Sequence, residues 1–355
     1  MYQLSAEPIG ISKSMAKKLY GESLTLSVSK LEKYNSCAFS FFMKYGLLAE
    51  ERLLGGLKAT DTGSILHDVL CNYFEEKAQN GADYSKITRD QCFYEITKLV
   101  NNFAQNSEDA HFVSSNYYGY MLMRLKSIAT ATAWKLVKFY SKSQFRPVGF
   151  ELSFGKLGEL PPYVLDTPEG KVTLKGFIDR VDSATIDGTE YVTITDYKSS
   201  EKRIDPQMID AGITLQPLIY ANAVTNQSEG KKPAAMMYLQ MNDPILKFDT
   251  IPDEPAWEAA MSDGLKTHGL FLDDPAVLSA LDSEIDEKSA THYINCDAKS
   301  RLSAEYFEKR LKDAEICAAN TAEKILSGRI EASVPDVKGF DPCSYCPYGN
   351  VCREE

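Results

Sequence analysis

Asp196 and Lys198 stand two residues apart in the stretch ITDYKSS, and a further aspartate, Asp179, lies upstream in GFIDRVD. Residues two apart in a strand share a face, so Asp196 and Lys198 point the same way at a strand end. The segment IDGTE between the two stretches is a hairpin signal, which places Asp179 on the preceding strand, across the turn. Two carboxylates and an ammonium converging at a sheet edge are what phosphodiester hydrolysis needs. The carboxylates are hard oxygen donors for a divalent cation, and the ammonium steadies the attacking water or the developing charge. D-x-K also arises by chance on solvated surface hairpins, so spacing alone leaves both readings open. His67, early in DTGSILHDVLCNYFEEKAQ, reads by itself more readily as a satisfied helix histidine than as a ligand. Gln216 and Tyr220 are four apart and share a face if LQPLIYANAV is helical, but Pro217 predicts that this helix begins or kinks there and turns Gln216 elsewhere.

The chain closes on a second set of reactive side chains, CSYCPYGNVC, with Cys343, Cys346 and Cys352 at C-x2-C-x5-C spacing. A tetrahedral thiolate site wants four ligands, so one cysteine must come from elsewhere. By spacing alone a C-x2-C pair favours zinc, with an iron-sulfur cluster as the alternative. Eight cysteines in 355 residues are too few for a disulfide scaffold. Cys71, Cys92, Cys296 and Cys317 read as buried thiols, away from any cluster spacing.

The elements that must position these groups follow from periodicity. Residues 24–47 read as a short extended piece and then a helix, with Ser27 or Ser29 as cap, Cys37 inside it and Gly46 ending it. Ile65, Leu66, Val69, Leu70, Tyr73 and Phe74 form the apolar stripe of a helix over 61–79, and residues 117–142 continue helical until Pro147. FELSFG, KVTLKGFIDRVD and YVTITDYKSS then switch to strand chemistry and predict a β-meander inserted between helices. LQPLIYANAV returns to helix, AAMMYLQM to strand, and residues 303–328 form a long amphipathic helix closed by Gly328.

Composition is that of a globular protein, with 44% hydrophobic and 25% charged residues. The net charge of −11 argues against a dedicated nucleic-acid coat, although KSSEKR (198–203) can still face DNA. No run approaches the roughly 18 apolar residues of a membrane helix, and MYQLSAEPIGISKS lacks the apolar core of a signal peptide, so a cytoplasmic location is expected.

The order of these groups, a helix with His67, Asp179 on a strand, Asp196-x-Lys198 on the next, then Gln216 and Tyr220 on a helix, resembles the RecB-like branch of the PD-(D/E)XK nuclease superfamily. The resemblance implies an α/β fold with a restriction-endonuclease-like core, a mixed sheet flanked by helices. It implies Mg²⁺ or Mn²⁺ held by His67, Asp179, Asp196 and the backbone carbonyl of Tyr197. Lys198 would be catalytic, with Gln216 and Tyr220 supporting the site and the DNA. LYGESLTLSVSKLEKYNSCAFSFFMKYGL with ER soon after, PAAMMYLQMNDP, GLFLDDPAVLSALD and the cysteine loop are similar to the AddB family, the second subunits of bacterial AddAB helicase-nucleases. Such nucleases often hold a [4Fe–4S] cluster on one cysteine before the core and three after it. Cys37 is then the fourth ligand, and the resemblance turns the reading from zinc to iron-sulfur. A cluster joining Cys37 to Cys343 would staple the two ends of the chain; the chain-entropy model gives such a long loop on the order of 5 kcal/mol.

The implied function is a Mg²⁺-dependent exonuclease that processes DNA ends, with single-stranded DNA and a helicase subunit of AddA type as partners. The rival readings are a stand-alone exonuclease of the kind used in CRISPR adaptation, and a non-catalytic, cluster-stapled module that binds DNA ends. AddB proteins carry a helicase-like region ahead of such a domain. No G-x4-G-K-[ST] occurs here, so P-loop ATP binding is not expected, and the chain reads as one domain of a longer subunit or as a shorter gene product. The expected layout is a polar linker over 1–25 and one nuclease domain over 26–355, with a helical part at 60–145, the catalytic β core at 146–225, and a strand, helix and cysteine loop at 226–355.

Overall fold

The computed structural model of the chain describes residues 10–21, 24–50, 59–106, 116–155, 158–199, 202, 204–226, 230–242, 244, 246–285 and 293–352. The helical first part comprises α1 (Lys13–Tyr20), α2 (Val28–Ser36), α3 (Ala38–Phe41), α4 (Ala59–Gln79), α5 (Arg89–Asn106) and α6 (Asn116–Lys142), with a short strand β1 (Thr25–Ser27) before α2. Strands β2 (Arg146–Phe154), β3 (Tyr163–Thr167), β4 (Gly170–Ile186) and β5 (Thr189–Lys198) follow. The remainder runs α7 (Pro206–Asp210), α8 (Gln216–Thr225), β6 (Lys231–Gln240), α9 (Glu254–Gly264), β7 (Thr267–Leu272), α10 (Pro275–Leu281), β8 (Ile294–Asn295), β9 (Arg301–Leu302) and α11 (Ala304–Leu326).

The strands form one mixed sheet in the order β1-β4-β5-β6-β7-β8, with β2 and β3 also on β4 and β9 on β7. The long β4 pairs antiparallel with β2, β3 and β5, whereas β5 and β6 are parallel. Parallel neighbours need a crossover, and α7 and α8 supply it. Asp187 and Gly188 both take positive φ (48° and 79°) between β4 and β5, the backbone that a two-residue primed turn requires. The hairpin predicted at IDGTE is therefore present, and its register pairs Arg180 with Thr195.

The expected stripe on α4 holds: Leu66, Val69, Leu70, Tyr73 and Phe74 are all buried. They join a core cluster that also takes side chains from α6, α8, α11 and the sheet. Two expectations are corrected. Cys37 does not lie inside a helix: its backbone is extended, ending α2 and opening α3. Local hydrogen bonds favour the break. Ser36 Oγ donates to the Lys33 carbonyl (2.8 Å), Cys37 Sγ accepts the Ser40 N–H (3.4 Å), and the Phe39 N–H donates across the fold to Glu331 (3.2 Å). The polar segment 1–25 is not wholly a linker, because α1 packs Ala16 into the interior and the Ile11 N–H donates to the Gly328 carbonyl (2.8 Å). Residues 1–9, 22 and 23 of that segment lie outside the described residues, as do Glu51 and Arg52, and Ser200, Glu201 and Arg203 of the basic stretch.

Strand β5 is covered on both faces, so its polar side chains need partners. On one face, the fully buried Arg180 pairs with Asp182 (3.1 Å) and donates to Tyr197 Oη (3.0 Å) and Thr195 Oγ1 (3.2 Å). Tyr140 of α6 donates to Asp182 (2.9 Å), which ties α6 to the back of the hairpin. Asp196 and Lys198 point to the opposite face.

Candidate metal and active site

Four elements converge at the open end of the β4–β5 hairpin. Asp179 leaves β4 next to Arg180, and its Oδ2 accepts the Tyr197 N–H at 2.5 Å. His67, on α4, turns Nε2 to Asp179 Oδ2 (3.1 Å) and Nδ1 to Glu151 Oε1, and its ring meets the Tyr197 ring edge-on. Glu151 comes from β2, whose register against β4 shifts between Pro147 and Gly149; it then lies between Phe150, paired with Arg180, and Leu152, paired with Ile178, and so faces Asp179 across the ladder. Its φ of 48° is a left-handed conformation that costs a non-glycine residue on the order of 1 kcal/mol or more, and such strain clusters at functional sites.

A second half of the site sits beside the first. Lys198 Nζ is paired with Asp196 Oδ2 and donates to Gln216 Oε1 (3.2 Å), and Gln216 Nε2 donates to Tyr220 Oη (3.4 Å). Pro217 does mark the start of α8, as expected, but Gln216 does not turn away. Glu32 of α2 is the reason: its buried carboxylate accepts the N–H groups of Leu215 (2.7 Å) and Gln216 (2.8 Å), capping α8 from another helix. Gly176 on β4 makes room for Tyr220, since a Cβ there would meet the rings of Phe154 and Tyr220.

The electrostatics are those of a site with more carboxylate than counter-charge. Burial opposes a charged His67, yet the hydrogen bonds and charges of Asp179 and Glu151 outweigh it and push its pKa up to about 10. Burial, and then the charge of Asp179, push Asp196 up to about 7 against the pull of Lys198. Glu151 Oε1 and Asp196 Oδ2 are shielded from solvent, the first facing His67 and the second Lys198. Among the described residues, His67, Glu151 and Asp179 form the one group of three whose ligand atoms lie within 4.8 Å of one another. This imidazole-carboxylate set fits a hard divalent cation. Asp196 stands outside the trio, on the Lys198 side, so the geometry adds Glu151 to the expected His67, Asp179 and Asp196. His67, Glu151, Lys198 and Met241 line a cleft of about 400 Å³ over the site.

All seven residues expected at the nuclease site therefore come together: His67, Asp179, Asp196, Tyr197, Lys198, Gln216 and Tyr220. Sequence reading missed Glu151 and Glu32. The available signal was an acid between Phe150 and Leu152 in FELSFG, and an acid on the helix that buries Val28, Leu31 and Tyr34 in SVSKLEKY.

Of the four cysteines expected to hold a cluster, Cys37, Cys346 and Cys352 lie near enough to Cys343 to act on its titration, but the four do not form a cluster site among the described residues. The Cys343 thiol is raised first by burial, then by Asp341 and by the thiols of Cys37, Cys346 and Cys352. Asp341 fixes the loop by accepting the Cys343 N–H (3.0 Å), and Tyr348 reaches back to the Ala49 carbonyl (2.8 Å). Tetrahedral zinc with Zn–S bonds of about 2.3 Å holds its sulfurs about 3.8 Å apart. Among the described residues, no three of these sulfurs lie within 4.8 Å of one another.

Among the described residues no helix is long and apolar enough to cross a membrane. Comparison with known proteins agrees with the geometry. The chain is 34% identical over 357 residues to an ATP-dependent helicase/deoxyribonuclease subunit of Clostridium acetobutylicum, covering 97% of this chain and 31% of that protein. The proteins of the same name in Clostridium kluyveri (32% identical, 95% and 30% covered) and Acetivibrio thermocellus (29%, 99% and 32%) are similarly related. The chain thus spans roughly a third of the length of these curated relatives. A family model described as the PD-(D/E)XK nuclease superfamily matches residues 25–353. With the mixed sheet, the D…D-x-K hairpin and the histidine helix meeting in one cleft, the chain belongs to the PD-(D/E)XK nuclease superfamily.

Proposed function

We propose that the chain is the nuclease domain of an AddB-type subunit, a Mg²⁺- or Mn²⁺-dependent exonuclease that trims single-stranded DNA ends delivered by an AddA-type helicase subunit during double-strand-break repair in the cytoplasm. The observation that carries this reading is the contact network joining His67, Glu151 and Asp179, and Asp196, Lys198, Gln216 and Tyr220 beside them, at the wall of a cleft lined by His67, Glu151, Tyr197 and Lys198. The names of the curated relatives favour it over a CRISPR-adaptation exonuclease.

His67, Glu151, Asp179 and Asp196 would hold the cation, with the Tyr197 carbonyl completing the set. When bound, the cation lowers the pKa of a water and draws charge from the scissile phosphate. Asp179 is fixed for its part by the Tyr197 N–H, and Asp196, paired with Lys198, would be the ligand on that side. Lys198, steadied by Gln216, then directs its ammonium at the attacking water or at the phosphate oxygen that gains charge. Tyr220 holds the glutamine amide in that orientation.

Cys37, Cys343, Cys346 and Cys352 are proposed to hold a [4Fe–4S] cluster that serves as a structural clasp. Support comes from the resemblance in cysteine order, one before the core and three after it, and from the action of the Cys37, Cys346 and Cys352 thiols on Cys343.

The test is cleavage of end-labelled linear single-stranded DNA with Mg²⁺ by the parent and by Asp196→Ala, both purified anaerobically and checked for iron and brown colour. Cleavage by the parent alone supports the reading. Cleavage by neither, while both bind DNA ends, would replace it with the non-catalytic module, and a colourless, zinc-loaded protein would overturn the cluster.

A further inference from the structure

Both tryptophans of the chain, Trp134 and Trp257, line a cavity of about 250 Å³ between α5, α6 and α9 that shares no lining residue with the metal cleft. Phe93 and Tyr293 add two more rings to its wall. Lys135 lines it as well, 3% exposed, with Nζ donating to the Leu265 carbonyl and to Thr267 Oγ1 (2.9 Å). No carboxylate pairs with Lys135 among the described residues, and the charge of Arg180 that acts on it is already committed to Asp182. Burial and Arg180 both push its pKa well down. A buried ammonium without a counter-ion is costly and stands ready for an anion.

Lys138, half-buried one turn on, lies 5.0 Å over the Trp134 ring, also with no carboxylate partner among the described residues. Glu258 is the lining acid, and it lies 3.7 Å from Arg89, which packs on Trp257 and Phe93. The wall therefore offers flat π-surfaces, Lys138 offers a charge with no carboxylate partner among the described residues, and Lys135 offers a buried amine that an anion in the cavity would draw back to its charged form. Aromatic faces take a nucleobase irrespective of its identity, and lysine takes phosphate as a point charge.

We propose that this cavity binds a nucleotide unit, with its base against Trp134 and Trp257 and its phosphate on Lys138 and Lys135. The unit is either a free nucleoside monophosphate or one residue of a single strand. None of these groups touches the metal cleft, so the proposal stands whether or not the chain cuts DNA.

Because both tryptophans line the cavity, intrinsic tryptophan emission reports on it alone. The full 355-residue chain, in EDTA, is titrated with dAMP, deoxyadenosine, inorganic phosphate and a short single-stranded oligo-dA, with correction for nucleotide absorbance. Saturable quenching by dAMP or by the oligonucleotide is expected, stronger than by deoxyadenosine or phosphate. The Lys138→Gln variant should bind about tenfold more weakly, the loss of one charge-assisted contact. Asp196→Ala should bind like the parent. Tighter binding of oligo-dA than of dAMP identifies the strand as the source, and equal or weaker binding identifies the free nucleotide. The proposal is overturned if neither ligand changes the emission saturably, if Lys138→Gln binds like the parent, or if Asp196→Ala abolishes the signal.

Discussion

Glu151 offers the sharpest test of the site, because it touches His67 from a strained backbone position. Glu151→Gln keeps the volume and removes one charge. Two unit charges 4 Å apart interact by about 4 kcal/mol at an effective dielectric constant near 20. The Glu151 side chain is 36% exposed, and solvent screening reduces the figure to about 1–2 kcal/mol. A pKa unit corresponds to about 1.4 kcal/mol, so the His67 pKa should fall by about one unit from its raised value of about 10. A histidine raised by its partners contributes stability that is complete below its ordinary pKa of about 6.5 and fades as pH rises through 10. The metal-free variant should therefore be less stable than the parent at neutral pH, and the difference should close above about pH 10. Loss of a carboxylate ligand should also weaken Mn²⁺ binding by about tenfold or more, equivalent to about 1.4 kcal/mol. Histidine ring NMR on the metal-free protein reads the first effect and calorimetric Mn²⁺ titration the second. An unshifted His67 titration together with unchanged Mn²⁺ affinity would refute the reasoning.

Asp196 has a raised pKa of about 7, so the folded metal-free protein binds a proton that the unfolded chain has released. Its stability should fall as pH climbs from about 4 to 7, flatten in Asp196→Asn, and recover with Mg²⁺, as thermal melts against pH would show. Glu32→Ala should destabilise the fold by about 2–4 kcal/mol in denaturant melts, since two charge-assisted bonds to Leu215 and Gln216 are lost. DNA cleavage should drop with it more than in Glu32→Gln, which can still accept one of those N–H groups. Arg180→Leu leaves Asp182 buried without its cation and should cost about 3–5 kcal/mol. An Arg180→Leu/Asp182→Leu double variant recovering much of that loss would confirm the cause. Cys37→Ser should lose iron from the purified protein and lower its melting temperature, while retention of full iron content would remove Cys37 from the ligand set.

Local pattern was enough to determine a good deal about this protein. The IDGTE turn and the period-two strands set the hairpin, the D-x-K spacing placed Asp196 and Lys198 on one face, and the apolar stripe of α4 carried His67. These features depend on dihedrals and neighbours a few residues apart, which is the range over which sequence periodicity reports. The tertiary structure alone decided what meets that hairpin. Glu151 enters only because β2 pairs with β4 in the register that sets it across from Asp179 and puts its side chain onto His67. Glu32 reaches Gln216 from a helix far away in sequence, and it overrides the local warning given by Pro217. The break at Cys37 likewise depends on Glu331 accepting the Phe39 N–H. Each of these contacts joins segments far apart in the chain, where no period connects them, so burial and hydrogen-bond satisfaction across the whole core selected the partners.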